Sequence, residues 1–380
     1  MPPPRRPAPA GPDPLPGQRS RGALLGLAIG DALGAPLRGR NLVAPPFPGL
    51  ADGMRRHLGQ GRMQSRLPAN PFEEAPGAYA DDSAQEPAQV ELRKGQVTDE
   101  THLACCIAWS LKELKHYDAA DVARRYRAWK PHAFDMTDAV RESLEEMGSG
   151  MPVLSAGKRI WLRHHRKVFC HGSLSRTAPI GVFFAGNEQA RIQASLEDSA
   201  LTHYDPRCQL ACAALNSALA RAITGGASVE KADLITAAKT GLSVGAATLA
   251  RMAPEAVNET TNAKNFLWED LDRAQQPDPM LYGPELHLHR NLGHVRVAFR
   301  LAFWEFLHAP SVEAGLVDVV NRGADADAHG AISGALLGAF HGEEAIPLEW
   351  RRMVLDAMNT VRGPLWNTYH PRHLLALVAD

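Results

Sequence analysis

Aromatic residues are scarce in this chain, at 6% of 380 positions, and net charge is nearly absent: 41 Lys and Arg against 42 Asp and Glu leave a formal charge of -1. Without a basic excess the chain lacks the phosphate-neutralising charge that nucleic-acid binders use, which argues against a nucleic-acid partner. No window offers 18 consecutive apolar residues, so no membrane partner is expected. The opening MPPPRRPAPAGPDPLPGQRS has no apolar stretch of the kind a secretory signal needs. Cysteine is also sparse. Cys105, Cys106, Cys170, Cys208 and Cys212 are odd in number, two are adjacent, and none forms a Cys-x-x-Cys pair. That argues against a disulfide framework and structural zinc, and points to small buried thiols in a reducing, cytoplasmic setting.

What the chain does have is a hydrophobic fraction of 45%, enough for a sizeable core. Residues 1–20 carry prolines at eight positions and read as a disordered or polyproline tail. From Arg21, RGALLGLAIGDALGAPL places Gly22, Gly26, Gly30 and Gly34 on one helical face, a spacing that predicts close helix packing. Residues 39–97 are rich in Pro, Gly, Gln and acid, and read as a long variable loop or insert. Helical periodicity then recurs at 98–114, 119–129, 136–147, 207–223, 229–250, 295–307, 312–320, 328–340 and 348–358. Strand-like alternation is nearly absent, with only IGVFF at 180–184 ambiguous. The expected fold is all-α, a single large helical domain over 21–380, monomeric, with a core of small side chains packed closely.

Two acidic clusters stand out. Thr98-Asp99-Glu100-Thr101 and Asp325-Ala326-Asp327 each directly precede an apolar helix. Taken singly, each reads as helix N-capping, where carboxylates meet unpaired N–H groups. If the two meet, four carboxylates within a few ångströms repel strongly and require protons or cations. Hard oxygen donors without Cys favour Mg²⁺, Mn²⁺ or Ca²⁺.

Five segments in order, Arg21–Leu37, Gly95–Thr101 (GQVTDET), His171–Gly181 (HGSLSRTAPIG), Thr202–Pro206 (THYDP) and Gly323–Pro347, together resemble the ADP-ribosylglycohydrolase family. The similarity runs from about Arg21 to the C-terminus. It implies an all-helical domain whose cleft holds two divalent ions, usually Mg²⁺ or Mn²⁺, and hydrolyses the bond joining ADP-ribose to a protein side chain or small molecule. Carried over residue by residue, Thr98, Asp99, Glu100, Asp325 and Asp327 would be the metal ligands, with Asp99, Glu100 and Asp327 catalytic. His171, Gly172, Ser173, His203 and Arg38 would face the substrate, Arg176 would be a framework residue and Asp31 would support the cleft floor.

The chain departs from the family pattern at four places. Arg38 stands where a glutamate is usual, Glu100 where an aspartate is, Ala328 where a threonine is, and His171 where an asparagine is. A guanidinium in place of a carboxylate reverses a charge worth about 4 kcal/mol per neighbouring unit charge at about 4 Å. It is expected to weaken one metal site, or to pair with the diphosphate or Glu100. Two readings therefore stay open: a metal-dependent hydrolase, and a catalytically altered or inactive ADP-ribose-binding pseudoenzyme.

Overall fold

A computed structural model describes residues 15–39, 53–56, 89–133, 136–277, 293–359 and 363–378. Its helices are α1 (Pro16–Gly34), α2 (Asp99–Leu114), α3 (Ala119–Trp129), α4 (Asp138–Met147), α5 (Val153–Arg163) and α6 (Gly172–Arg176). Next come α7 (Ala178–Phe183), α8 (Glu188–Thr202), α9 (Pro206–Thr224), α10 (Lys231–Met252), α11 (Val257–Ala274) and α12 (Val295–His308). The chain closes with α13 (Val312–Asn321), α14 (Ala326–His341), α15 (Leu348–Asp356), α16 (Pro364–Asn367) and α17 (Arg372–Leu375). The fold is all-α, as the periodicity predicts. IGVFF, the ambiguous segment, is helical: Ile180 to Phe183 belong to α7, with Pro179 near its start supplying a preset φ.

Two expectations about the N-terminal third change. The helix begins at Pro16, inside the stretch read as tail; Pro16 occupies a first-turn position, where its missing N–H costs nothing. Arg19 is buried and donates to the Ala222 carbonyl at 2.9 Å, which ties this turn to the body. Residues 1–14 lie outside the described residues. Within the segment read as loop, strands β1 (Gly53–Arg56) and β2 (Gln89–Leu92) pair antiparallel, with Gly53 opposite Leu92. Four-residue strands are too short to leave a readable alternation in the sequence. The loop carboxylates Glu73, Glu74, Asp81 and Asp82 lie outside the described residues.

The organising contact is the antiparallel pair of α1 and α14. A methyl group placed on Gly22, Gly26, Gly30 or Gly34 would come within 3.0 Å of the backbone of Gly338, Gly334, Gly330 or Ala326, respectively. These helices therefore touch backbone to backbone, which only glycine permits. The antiparallel sense sets the C-terminal end of α1 beside the N-terminal end of α14, bringing together residues almost 300 positions apart. Helix α9 runs through the interior against α1, α8, α10, α11 and α14, and its Cys208, Leu210 to Leu215 and Ala218 are fully buried.

Candidate functional site

The first acidic turn is held by Asp31, near the C-terminal end of α1. Its Oδ2 accepts from the backbone N–H of Thr98 (2.9 Å) and Thr101 (3.2 Å) and from Thr101 Oγ1 (2.6 Å). Asp31 thus caps α2 from another helix, in place of a side chain of its own turn. Thr98 Oγ1 lies 2.5 Å from Asp31 Oδ1 and 2.6 Å from Glu100 Oε2. A hydroxyl has one proton to donate, so a proton on one of these carboxyl groups would let both contacts be hydrogen bonds. Burial, then the charge of Glu100, push the Asp31 carboxyl up to about 7, against its hydrogen bonds. The shared proton belongs most naturally there.

The second turn is shaped by Gly323 and Ala324, both at positive φ (69° and 58°). Gly39 N donates to the Ala324 carbonyl at 2.7 Å, fastening the segment after α1 to this turn. Asp325 accepts from His171 Nε2 through Oδ2 (2.9 Å) and pairs with Arg38 Nε through Oδ1 (3.0 Å). Asp327 accepts from Ala328 N through Oδ1 (2.9 Å), and its Oδ2 is 3.5 Å from Arg38 Nη1. Burial would raise the Asp325 carboxyl, but Arg38 and His171 hold it well below the usual carboxylate range. Burial likewise works against the Arg38 charge, and Asp327, Asp325, Asp99 and Glu100 overcome it, raising its pKa. Both acidic turns therefore act on the same guanidinium.

The remaining candidates sit around this centre at different depths. His171 is buried, its Nδ1 has no hydrogen-bond partner among the described residues, and its ring meets that of His329 edge-on at 5.5 Å. His203 lies deeper. It is fully buried and neutral, because burial pushes its pKa well down. Its Nδ1 pairs with Thr202 Oγ1 (2.7 Å), its Nε2 faces Cys170 Sγ (3.1 Å), and its ring packs against Gly172, where a methyl would meet it at 3.1 Å. Ser173 is also fully buried, bonded to Ser199 Oγ at 2.9 Å. The structure thus brings Thr98, Asp99, Glu100, Arg38, Asp325, Asp327 and His171 together, with Gly172, Ser173 and His203 as a layer behind them. Arg176 anchors that layer: its Nε pairs with Asp198 Oδ2 (3.1 Å) and its Nη2 donates to Thr202 Oγ1 (2.9 Å). Thr101 and His329 also join the centre, although the sequence gives neither of them a role beyond membership of the two acidic runs. Thr101 directly follows Glu100, and His329 lies two positions after Asp327, on the same first turn of α14.

These donors do not fit the two-ion centre that the family resemblance implies. Among the described residues no three His, Cys, Asp or Glu are arranged to hold a metal ion. Thr98 Oγ1 is committed to two carboxyl groups, and both oxygens of Asp325 face protein cations or donors. The arginine occupies the space between Asp325 and Asp327 that a shared ion would need.

A family model described as ADP-ribosylglycohydrolase matches residues 12–374. The ADP-ribosylarginine hydrolase Tri1 of Pseudomonas putida (strain GB-1) is 24% identical over 348 residues, covering 87% of this chain and 73% of that protein. The ADP-ribosyl-[dinitrogen reductase] glycohydrolase of Rhodospirillum rubrum is 21% identical over 338 residues, 87% of this chain and 88% of that one. A solved structure described as an ADP-ribosylglycohydrolase-related protein complex superposes with a TM-score of 0.60 at 24% identity, covering 96% of this chain and 98% of that chain.

Proposed function

The chain belongs to the ADP-ribosylglycohydrolase family, and from that premise we propose that it binds an ADP-ribosyl group at the acidic centre and hydrolyses the bond joining it to an acceptor. The observation that carries this reading is the meeting of Thr98-Asp99-Glu100 with Asp325 and Asp327 around Arg38, beside His171. Cleavage at an anomeric carbon develops positive charge on the sugar. Asp99, Glu100 and Asp327 supply the negative potential that stabilises such charge, and a carboxylate among them orients the attacking water. His171, whose Nε2 is taken by Asp325, leaves Nδ1 as an acceptor for a ribose hydroxyl. Arginine is the acceptor to test first, since two of the relatives are named as ADP-ribosylarginine hydrolases. These catalytic roles fall to the chain's own side chains, because the donor set around Arg38 does not fit two ions.

The test is to incubate the protein with an ADP-ribosylated arginine peptide and follow free ADP-ribose by chromatography. Release is expected, with Asp99→Asn and Glu100→Gln each lowering it by about 100-fold. No release together with no ADP-ribose binding in calorimetry refutes the reading. Arg38 supports a second one, an ADP-ribose-binding pseudoenzyme, for which binding without release on arginine-, serine- and nucleic-acid-linked substrates is the signature.

A further inference from the structure

Arg38 has the opposite charge to the four carboxylates that act on it, and its position is built into the backbone. The 3-10 turn Ala35–Leu37 ends in Arg38 with an extended ψ of 135°, and Gly39 N is bonded to Ala324 O. The root of the side chain is therefore fixed against the turn that carries Asp325. Its side chain is only 14% exposed and reaches Asp325 through Nε and Asp327 through Nη1. A planar fork of N–H donors matches carboxylate oxygens and remains charged at any working pH.

Two buried carboxylates that share a cation can share a divalent ion or a guanidinium. They cannot share both at the same place, since like charges at contact distance repel strongly in a partly desolvated site. Asp325 has its other oxygen on His171 Nε2, and Asp327 has its other oxygen on Ala328 N, so every oxygen of the pair already faces a protein donor or the guanidinium.

We infer that the Arg38 guanidinium holds the place of a divalent ion between Asp325 and Asp327, so that this pair coordinates no metal and the centre takes at most one ion. The inference rests on the proposed function only for the identity of the ligand. The remaining acidic side chains, Asp99 and Glu100 of the first turn, are where a single ion would have to bind. Arg38 then does permanently, with a single positive charge, part of what a dissociable ion would do reversibly: it offsets the charge of the second acidic turn without cancelling it.

The experiment counts Mn²⁺ on the chelator-stripped full chain by titration calorimetry and by electron paramagnetic resonance, for the wild type, Arg38→Gln and Arg38→Glu. At most one Mn²⁺ per wild-type chain is expected, with one more in each variant than in the wild type. Added Mn²⁺ should raise the melting temperature of the variants by several degrees more than that of the wild type, because the newly opened site binds only the folded state. Two Mn²⁺ on the wild type, or no additional ion in either variant, overturns the inference. If Arg38→Glu fails to fold because it adds a fifth carboxylate, the neutral Arg38→Gln decides alone. A parallel titration with ADP-ribose keeps the two claims apart: no ADP-ribose binding by any of the three refutes the proposed ligand, while the ion count still decides the role of Arg38.

Discussion

A single hydroxyl proton gives the residue scale its sharpest test. Thr98 Oγ1 sits within 2.6 Å of both Asp31 and Glu100, and it can donate to only one of them. Replacing Asp31 by Asn supplies a permanent donor. The amide Nδ2 donates to Thr98 Oγ1, Thr98 donates to Glu100, and the amide oxygen still accepts from Thr98 N and from Thr101. We expect Asp31→Asn to melt at or above the wild-type temperature at neutral pH. Asp31→Ala strips the cap from α2 and leaves buried donors unmet, for a loss of about 3 kcal/mol in chemical denaturation. Equal stability of the two variants would contradict the one-proton account. At this scale the sequence shows the charge reversal at Arg38 and the two acidic runs, because each is local. It does not show which way Arg38 points, since that direction depends on Gly39 bonding to Ala324, far along the chain. Nor does it show how deep His203 lies, because its burial comes from Gly172 and Cys170 in another segment.

At the scale of elements, the glycine face of α1 is readable because its period of four is strict, and the structure gives it α14 as a partner. Gly30→Val should drive a side chain into the Gly330 backbone and cost about 3 kcal/mol in denaturant titration. Gly17→Ala, on the same helix with nothing within 4 Å, should leave stability unchanged or raise it by up to about 1 kcal/mol. Other helices are hidden in the sequence. Helix α8 buries Arg191, Ser195, Asp198, Ser199 and Thr202, and these polar side chains break the apolar rhythm. They are tolerated because they find partners: Asp198 meets Arg176 and Tyr126, and Ser195 meets Asn216. Helix α5 ends in the basic run around His164 and His165, which reads as surface charge. Between α12 and α13, burial and then hydrogen bonding to Asp318 push the Glu305 carboxyl up to about 10, against the pull of Arg322. The unfolded chain gives up this proton near the ordinary glutamate value while the folded chain keeps it, so stability falls as pH rises from about 4.5 toward 10. Glu305→Gln keeps a donor to Asp318 and removes the titration. It should be more stable than wild type by on the order of 2 kcal/mol at pH 8 and no more stable at pH 4, as measured by denaturant titration at the two pH values.

For the whole molecule, one continuous apolar core joins nearly all the helices, and no helix among the described residues is long and apolar enough to cross a membrane. All five cysteines are free, four of them buried and Cys170 partly exposed. Burial raises every one of these thiols, Cys170 and Cys212 to about 12, which keeps them protonated and poorly nucleophilic. A thiol reagent should therefore find at most one reactive group in the native protein and all five after denaturation. Rapid labelling of several thiols in the native state would mean that the core opens more readily than its packing implies.

The seam of glycines between α1 and α14 has an ambiguity of its own. Notches repeated every four residues would let one helix slide along the other by about 6 Å and find glycine opposite glycine again. Close packing alone does not reject the shifted alignments. The ends of the seam do: after one such slip Arg38 would lose Asp325 and Asp327, and Gly39 would lose the Ala324 carbonyl. The charges gathered at the centre thus act as a key that sets the alignment of the two helices. A chain that exchanged them for neutral side chains would risk losing the position of its backbone as well as its chemistry.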